Sequence, residues 1–260
     1  MARQPDGPPP PPVVARLRLR YAKRGRLRFT SHRDFARAFE RALRRAEIPM
    51  GYSAGFSPHP KVSYLGASPT GVSSEAEYVE IGLARAMDPE AVRVALDGCL
   101  PDGLDLVECV PAGPGSLAER IDASRWEIAV PGVGVDDLRR AVAAFLAAGS
   151  VLVERRTKGG RREVDARHAV VFALVAADPT GCAILDVVVR QVAPAVRPDD
   201  VIAALAAVAD CAPTAPIRAV RLAQGRLDDA GQLTDPLAPD RAATLAAREG
   251  SAGAVDPVQR

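Results

Sequence analysis

Cysteine and histidine are scarce in this 260-residue chain, and their spacing excludes several classes of chemistry. The four cysteines, Cys99, Cys109, Cys182 and Cys211, show no CxxC or CxxxCxxC pattern. An iron–sulfur cluster or zinc site made from a local cysteine motif is therefore excluded, and reduced thiols in a cytoplasm are expected. Three histidines occur, His32, His59 and His168, with no HxxxH or HExxH pair to hold a metal from one helix. Long apolar runs are missing too. The longest, around Ala169 to Ala177, is about half of the ~20 residues that cross a bilayer, and no apolar signal region opens the sequence. No membrane association or secretion is expected, and the expected compartment is the cytoplasm. What remains is an average globular composition, 48% hydrophobic and 25% charged, long enough for one large or two small cores.

Acidic residues are rare in one particular place. Between Arg16 and Lys61 thirteen Lys or Arg stand against three acids, Asp34, Glu40 and Glu47, although the whole chain carries a net charge of only +2. Eight of the eleven aromatic residues lie between Tyr21 and Tyr78. Basic charge interleaved with rings suits a surface that grips a nucleic-acid backbone and stacks unpaired bases.

The ends are poor in residues that pack. Residues 1–12 hold six of the 23 prolines, and no aromatic residue follows Gly231. Both 1–12 and 227–260 are expected to be disordered tails, with at most a short helix near Arg241 to Arg248. Between them, the Pro- and Gly-bearing stretch 113–124 reads as a linker. In residues 13–112, a strand at Val13 to Tyr21 precedes a helix at Ser31 to Glu47. Strands near Lys61 to Leu65 and Tyr78 to Leu83 follow, then a helix opened by Asp88-Pro89 and a strand at Leu104 to Val110. Residues 125–226 repeat the order: Trp126 to Val130, a helix from Val135 ended by Gly149, Val151 to Arg156 and Val164 to Val175 about a Lys158-Gly159-Gly160 turn, Cys182 to Val189, a helix at Pro198 to Cys211, and Ile217 to Leu222. The expected architecture is α+β: two tandem ferredoxin-like (βαββαβ) modules with antiparallel sheets.

The candidate site residues cluster early. The helix after Ser31 has an apolar stripe of Phe35, Phe39, Ala42 and Leu43, and a basic line of Arg33, Arg37, Arg41 and Arg44. The strand and turn before it add Arg16, Arg18, Arg20, Arg26 and Arg28, and all nine are expected to converge on a polyanion. The loop Gly51 to Lys61 offers Tyr52 and Phe56 as stacking platforms and Lys61 as a phosphate partner, with His59 between its prolines as a further nucleic-acid contact. His32 and His59 are candidate general acid and base for RNA cleavage if both reach one phosphate. The acids Glu75, Glu77 and Glu80 are expected to pair with arginines. Arg155, Arg156, Lys158, Arg161 and Arg162 form a secondary basic hairpin.

Taken together, Tyr21 to Phe29, Ser31-His32-Arg33-Asp34, Arg41 to Ala46, Tyr52 to Pro60 and Gly71 to Tyr78 resemble the radical SAM-linked family, with weaker support from Thr157-Lys158-Gly159 and Val164 to Arg167. The likeness spans about residues 14 to 225. Family members often have Leu at the position of Arg33 and a more apolar stretch at Gly66-Ala67-Ser68. They occur fused behind a radical S-adenosylmethionine domain or as separate chains beside one, and this chain is expected to be the separate form. The resemblance carries over no catalytic residues. It implies a radical SAM enzyme as partner, with S-adenosylmethionine and an iron–sulfur cluster on that enzyme and no cofactor on this chain. The leading expectation is an accessory protein that binds tRNA or rRNA and presents it to the partner. An RNA endonuclease or RNA-modifying enzyme using His32 or His59, and a protein–protein adaptor with a basic docking face, are the alternatives.

Overall fold

A computed structural model describes residues 11–54, 56–157 and 159–252. The tail residues 1–10 and 253–260, and Lys158 of the expected basic hairpin, lie outside the described residues. In chain order the elements are β1 (Ala15–Lys23), a 3-10 turn (Gly25–Phe29), α1 (His32–Arg45), β2 (Val62–Leu65), β3 (Ser73–Leu83), α2 (Pro89–Asp97), β4 (Leu104–Pro111) and a second 3-10 turn (Ala118–Arg120). They continue with β5 (Ala123–Val130), α3 (Val135–Ala147), β6 (Leu152–Thr157), β7 (Gly160–Asp165), α4 (Ala166–Ala169), β8 (Val170–Ala177), β9 (Ala183–Arg190), α5 (Pro198–Ala209), β10 (Arg218–Leu227), β11 (Leu233–Thr234) and α6 (Ala238–Ala252). The fold is mixed α+β with mostly antiparallel strands and six α-helices among the described residues. None of these helices is long and apolar enough to cross a membrane.

The chain divides into two compact units: residues 1–71, 76–118 and 236–260 form the first, and 72–75 with 119–235 the second. In the first, the strand order is β4-β1-β3-β2. Alternation along β1 decides its two faces, because successive strand side chains point to opposite sides. Leu17, Leu19 and Tyr21 join Phe35, Phe39 and Leu43 of α1 and Val92 and Leu96 of α2 in one core. Tyr21 stacks on Phe35 with ring centroids 4.2 Å apart. Arg16, Arg18 and Arg20 therefore point to the other face.

That other face is where α6 docks, and here the expectation of a disordered 227–260 tail is corrected for the residues up to Ala252. Leu237 is fully buried, and Asp240, in the first turn of α6, is buried with it. Asp240 accepts two hydrogen bonds from Arg18, at 2.9 and 3.0 Å, and a third from the Gly113 N–H at 2.8 Å. Arg241 pairs with Glu108 of β4 at 2.6 Å. The segment has few apolar residues, but one leucine and one well-partnered carboxylate anchor it. The 113–124 stretch is also more than a bare connection, since Leu117 and Ile121 are buried.

In the second unit the order is β10-β5-β9-β8, with β11 on β10 and the start of β3 (Ser73, Ser74) parallel to Val220 and Arg221 of β10. Helices α3 and α5 cover a core that includes Leu138, Phe145, Val201 and Leu205. The single strand expected over Val164 to Val175 is broken at Asp165. Its carboxylate accepts from the backbone N–H groups of Arg167 and His168, which caps α4 and turns the chain. β3 starts at Ser73 rather than Tyr78, and α1 stops at Arg45, with Glu47 in the left-handed region at φ 52°.

Candidate nucleic-acid interface

Helix α1 is positioned by its two ends and its apolar stripe. The Ser31 hydroxyl oxygen accepts from the Asp34 N–H at 3.2 Å and its O–H donates to the Asp34 carboxylate at 2.7 Å, closing the N-terminus. With Phe35, Phe39, Ala42 and Leu43 buried, Arg33, Arg37, Arg41, Arg44 and Arg45 are all exposed on the outer side. None of these five has a carboxylate within ion-pair distance among the described residues, although Asp34 and Glu40 share the helix. Successive arginines at i, i+4 lie about 6 Å apart along the axis. Like charges at that spacing repel, so the row is a local cost that an anion would relieve.

Exposed rings occur on the segments before and after α1. Phe29, just before α1, is more than half exposed, and the Arg28 guanidinium sits 4.5 Å over its ring. Arg26 is exposed in the same turn. Past the far end of α1, Tyr52 lines a small cleft with Arg44 and Glu40, and Phe56 is 69% exposed near the loop tip.

Arginines on β1 are in different surroundings. Arg18 is buried, with Nε on Glu80 at 2.9 Å and Nη1 on Asp240 at 2.9 Å. Burial works against its charge, but hydrogen bonds to Glu80 and Asp240 outweigh it and raise its pKa above the ordinary arginine value. Arg20 lies 3.6 Å from Glu108, and Arg16 lies 3.8 Å from Glu80. The expected single convergence of strand and helix arginines is thus corrected. The two rows point away from opposite sides of the same sheet, and the strand row already faces internal carboxylates. Glu80 plays the arginine-pairing role expected of it, and buried Glu77 accepts from the Ser68 N–H at 3.1 Å.

The histidines are likewise on different sides. His32 meets the Tyr64 ring edge-on at 5.1 Å, on the face of β2 that packs against α1. Burial, helped by the charge of Glu40, pushes the Tyr64 hydroxyl pKa up, so it stays neutral. His59 instead lines a cleft with Arg16, Lys61, Ser53, Ser63 and Glu80 on the opposite face. The two imidazoles do not address one phosphate, which removes the geometry that paired acid–base cleavage needs.

In the second unit Arg155 is occupied by Asp200 at 2.8 Å and the Ala195 carbonyl at 3.0 Å, and Arg161 pairs with Glu154 at 3.2 Å. Arg156 and Arg162 are exposed. All four cysteines are free, and burial with nearby Glu90 and Asp88 pushes the Cys109 thiol up to about 12, which makes it unreactive at neutral pH. No group of three His, Cys, Asp or Glu side chains could hold a metal ion among the described residues. Sequence reasoning missed Asp240, Ser53 and Ser63. For Ser63 the signal was present: polar residues alternate with apolar ones through Lys61 to Tyr64, so it had to face away from α1.

Residues 16–198 match the family model for uncharacterized proteins conserved in bacteria, DUF2344. The chain belongs to that family. The match takes in the whole of α1, the 51–61 loop and the β6–β7 hairpin of this DUF2344 protein. No curated protein matches its sequence.

Proposed function

We propose that this DUF2344 protein is an RNA-binding accessory protein, taking tRNA or rRNA on the outer face of α1 and presenting it to a separate radical SAM enzyme. One observation carries the binding half: Arg33, Arg37, Arg41 and Arg44 form an exposed row with no carboxylate in ion-pair reach among the described residues. A row of repeating single charges about 6 Å apart suits a chain of phosphodiesters better than a compact anion. Phe29, Tyr52 and Phe56 supply rings on which unpaired bases stack. The partner half rests on the sequence resemblance, with S-adenosylmethionine and the cluster on the partner. The workplace is the cytoplasm. Both units are read as βαββαβ modules of ferredoxin-like type, supported by their strand orders: β4-β1-β3-β2 and β10-β5-β9-β8 follow one scheme, with the β6–β7 hairpin and α4 inserted in the second.

The test is capture of the full chain from cells, sequencing of the RNA that comes with it and identification of bound proteins. The reading expects a defined RNA, lost from the Arg37→Glu, Arg41→Glu double variant, and a radical SAM enzyme among the proteins. Salt-sensitive capture of an acidic protein with no RNA would replace it with the adaptor reading.

A further inference from the structure

The cleft on the sheet face opposite α1 has a different donor pattern and calls for a different ligand. Its walls are the 51–61 loop, the start of β1 and the edge of β2, enclosing about 290 Å³. The loop is tied down by backbone bonds. The Ser53 N–H donates to the His59 carbonyl at 2.9 Å, the His59 N–H donates to the Ser53 hydroxyl at 3.0 Å, and Tyr52 bridges Pro60. The Lys61 N–H donates to the Gly51 carbonyl at 2.8 Å, and the Gly82 N–H donates to the Lys61 carbonyl at 2.8 Å. The close approach of Val13 needs glycine on both sides: a Cβ on Gly51 would come within 2.6 Å of its side chain, and one on Gly82 within 3.0 Å. His59 and Lys61 are therefore presented from a fixed frame while remaining exposed.

The geometry points to a phosphate-monoester site in this cleft, held by Lys61, His59 and Arg16 with the hydroxyls of Ser53 and Ser63. Lys61 brings a point charge with three donors, Arg16 a planar fork and His59 a ring N–H, and the two hydroxyls add more. That many donors around one small concavity exceed what a carboxylate or a singly charged diester can accept. A monoester dianion, with three terminal oxygens, matches them. Glu80 is the one anion in the lining, and its charge is already engaged by buried Arg18 at 2.9 Å. The volume is at the lower limit of about 300 Å³ for small-molecule sites. It suits a phosphate with its sugar and leaves the rest of the ligand outside. The site does not depend on the RNA reading of α1, because it uses other residues on another face.

The experiment is calorimetric titration of the full chain with AMP, inorganic phosphate and adenosine. AMP and inorganic phosphate are expected to bind once per chain, with adenosine weaker than AMP by about tenfold or more. Lys61→Ala and His59→Ala should each weaken AMP by about tenfold without changing the melting temperature. Arg37→Glu with Arg41→Glu should leave AMP binding unchanged, which separates this site from the α1 row. Adenosine binding as tightly as AMP, or an unchanged AMP affinity in the Lys61→Ala, His59→Ala double variant, would overturn the proposal. Two further probes, 5′-phosphorylated and 5′-hydroxyl tetranucleotides, identify the source. A phosphorylated strand bound more tightly than AMP makes the ligand a nucleic-acid end, and one bound no more tightly makes it a free phosphorylated compound.

Discussion

Arginines of β1 and α1 are close in sequence and meet opposite surroundings. On β1, Arg16, Arg18 and Arg20 look toward Glu80, Glu108 and Asp240, and the middle guanidinium is buried among them. On α1, Arg33, Arg37, Arg41 and Arg44 look into solvent. A strand side chain always has cross-strand neighbours, and here an overlying helix adds another partner. The outer face of a surface helix has no layer above it to supply a counter-charge. A sequence stretch dense in arginine is therefore not one surface. The paired row serves the fold, and the exposed row is the one proposed to meet RNA.

The largest expected effect would break this comparison at its buried end. Arg18→Ala removes the buried guanidinium that both Glu80 and Asp240 face and should cost about 3–5 kcal/mol, whereas Arg37→Ala should change stability by less than about 0.5 kcal/mol. Urea unfolding of the two variants checks it, and equal losses would erase the distinction. Next comes binding. Arg37→Glu with Arg41→Glu should weaken a structured RNA by about a hundredfold, while Arg20→Gln on the other face should change it by less than about twofold. Filter binding at fixed salt decides between them.

A smaller effect repeats the contrast in the second unit. Arg155→Ala should cost about 1–3 kcal/mol because it leaves buried Asp200 without its charge partner, and exposed Arg156→Ala should cost less than about 0.5 kcal/mol. The smallest extends it to an acid. Burial raises the Asp165 pKa, but donors from Val151, Ser150, His168 and Arg167 outweigh it and hold the carboxyl below its ordinary value. A depressed carboxylate stabilises the fold above its unfolded pKa of about 3.9, and the contribution is lost as pH falls through the folded value. Asp165→Asn should cost about 0.5–1 kcal/mol near neutrality and flatten the acid limb of the stability curve below about pH 4. Glu163→Gln, exposed on the same hairpin, should change stability near neutrality by less than about 0.5 kcal/mol.

Much of this was legible from local pattern. The apolar stripe of α1, its Ser31 cap and the α2 start at Asp88-Pro89 follow from spacing and side-chain chemistry alone. The sidedness of β1 was legible as well, since Leu17, Leu19 and Tyr21 had to face the core and so sent Arg16, Arg18 and Arg20 the other way. What was not legible is who meets them there. Glu80, Glu108 and Asp240 stand 62 or more residues from Arg18, and only strand register and the docking of α6 bring them near. Composition also misjudged α6, because a summed apolar content cannot register two anchors as specific as Leu237 and Asp240. At the site, the exposure of the α1 row could be read from helical period. The separation of His32 from His59 could not, because it depends on which face of β2 the 51–61 loop leaves.

The most direct measurement of the central claim is the salt dependence of RNA binding by the full chain, with Arg33, Arg37, Arg41 and Arg44 all changed to glutamine in the comparison protein. Four phosphate contacts predict a slope of log K against log salt of about −2.8 for a single strand to about −3.6 for a duplex, falling close to zero in the glutamine variant. A flat dependence in the unaltered protein, or the same slope and affinity in both, would contradict the account.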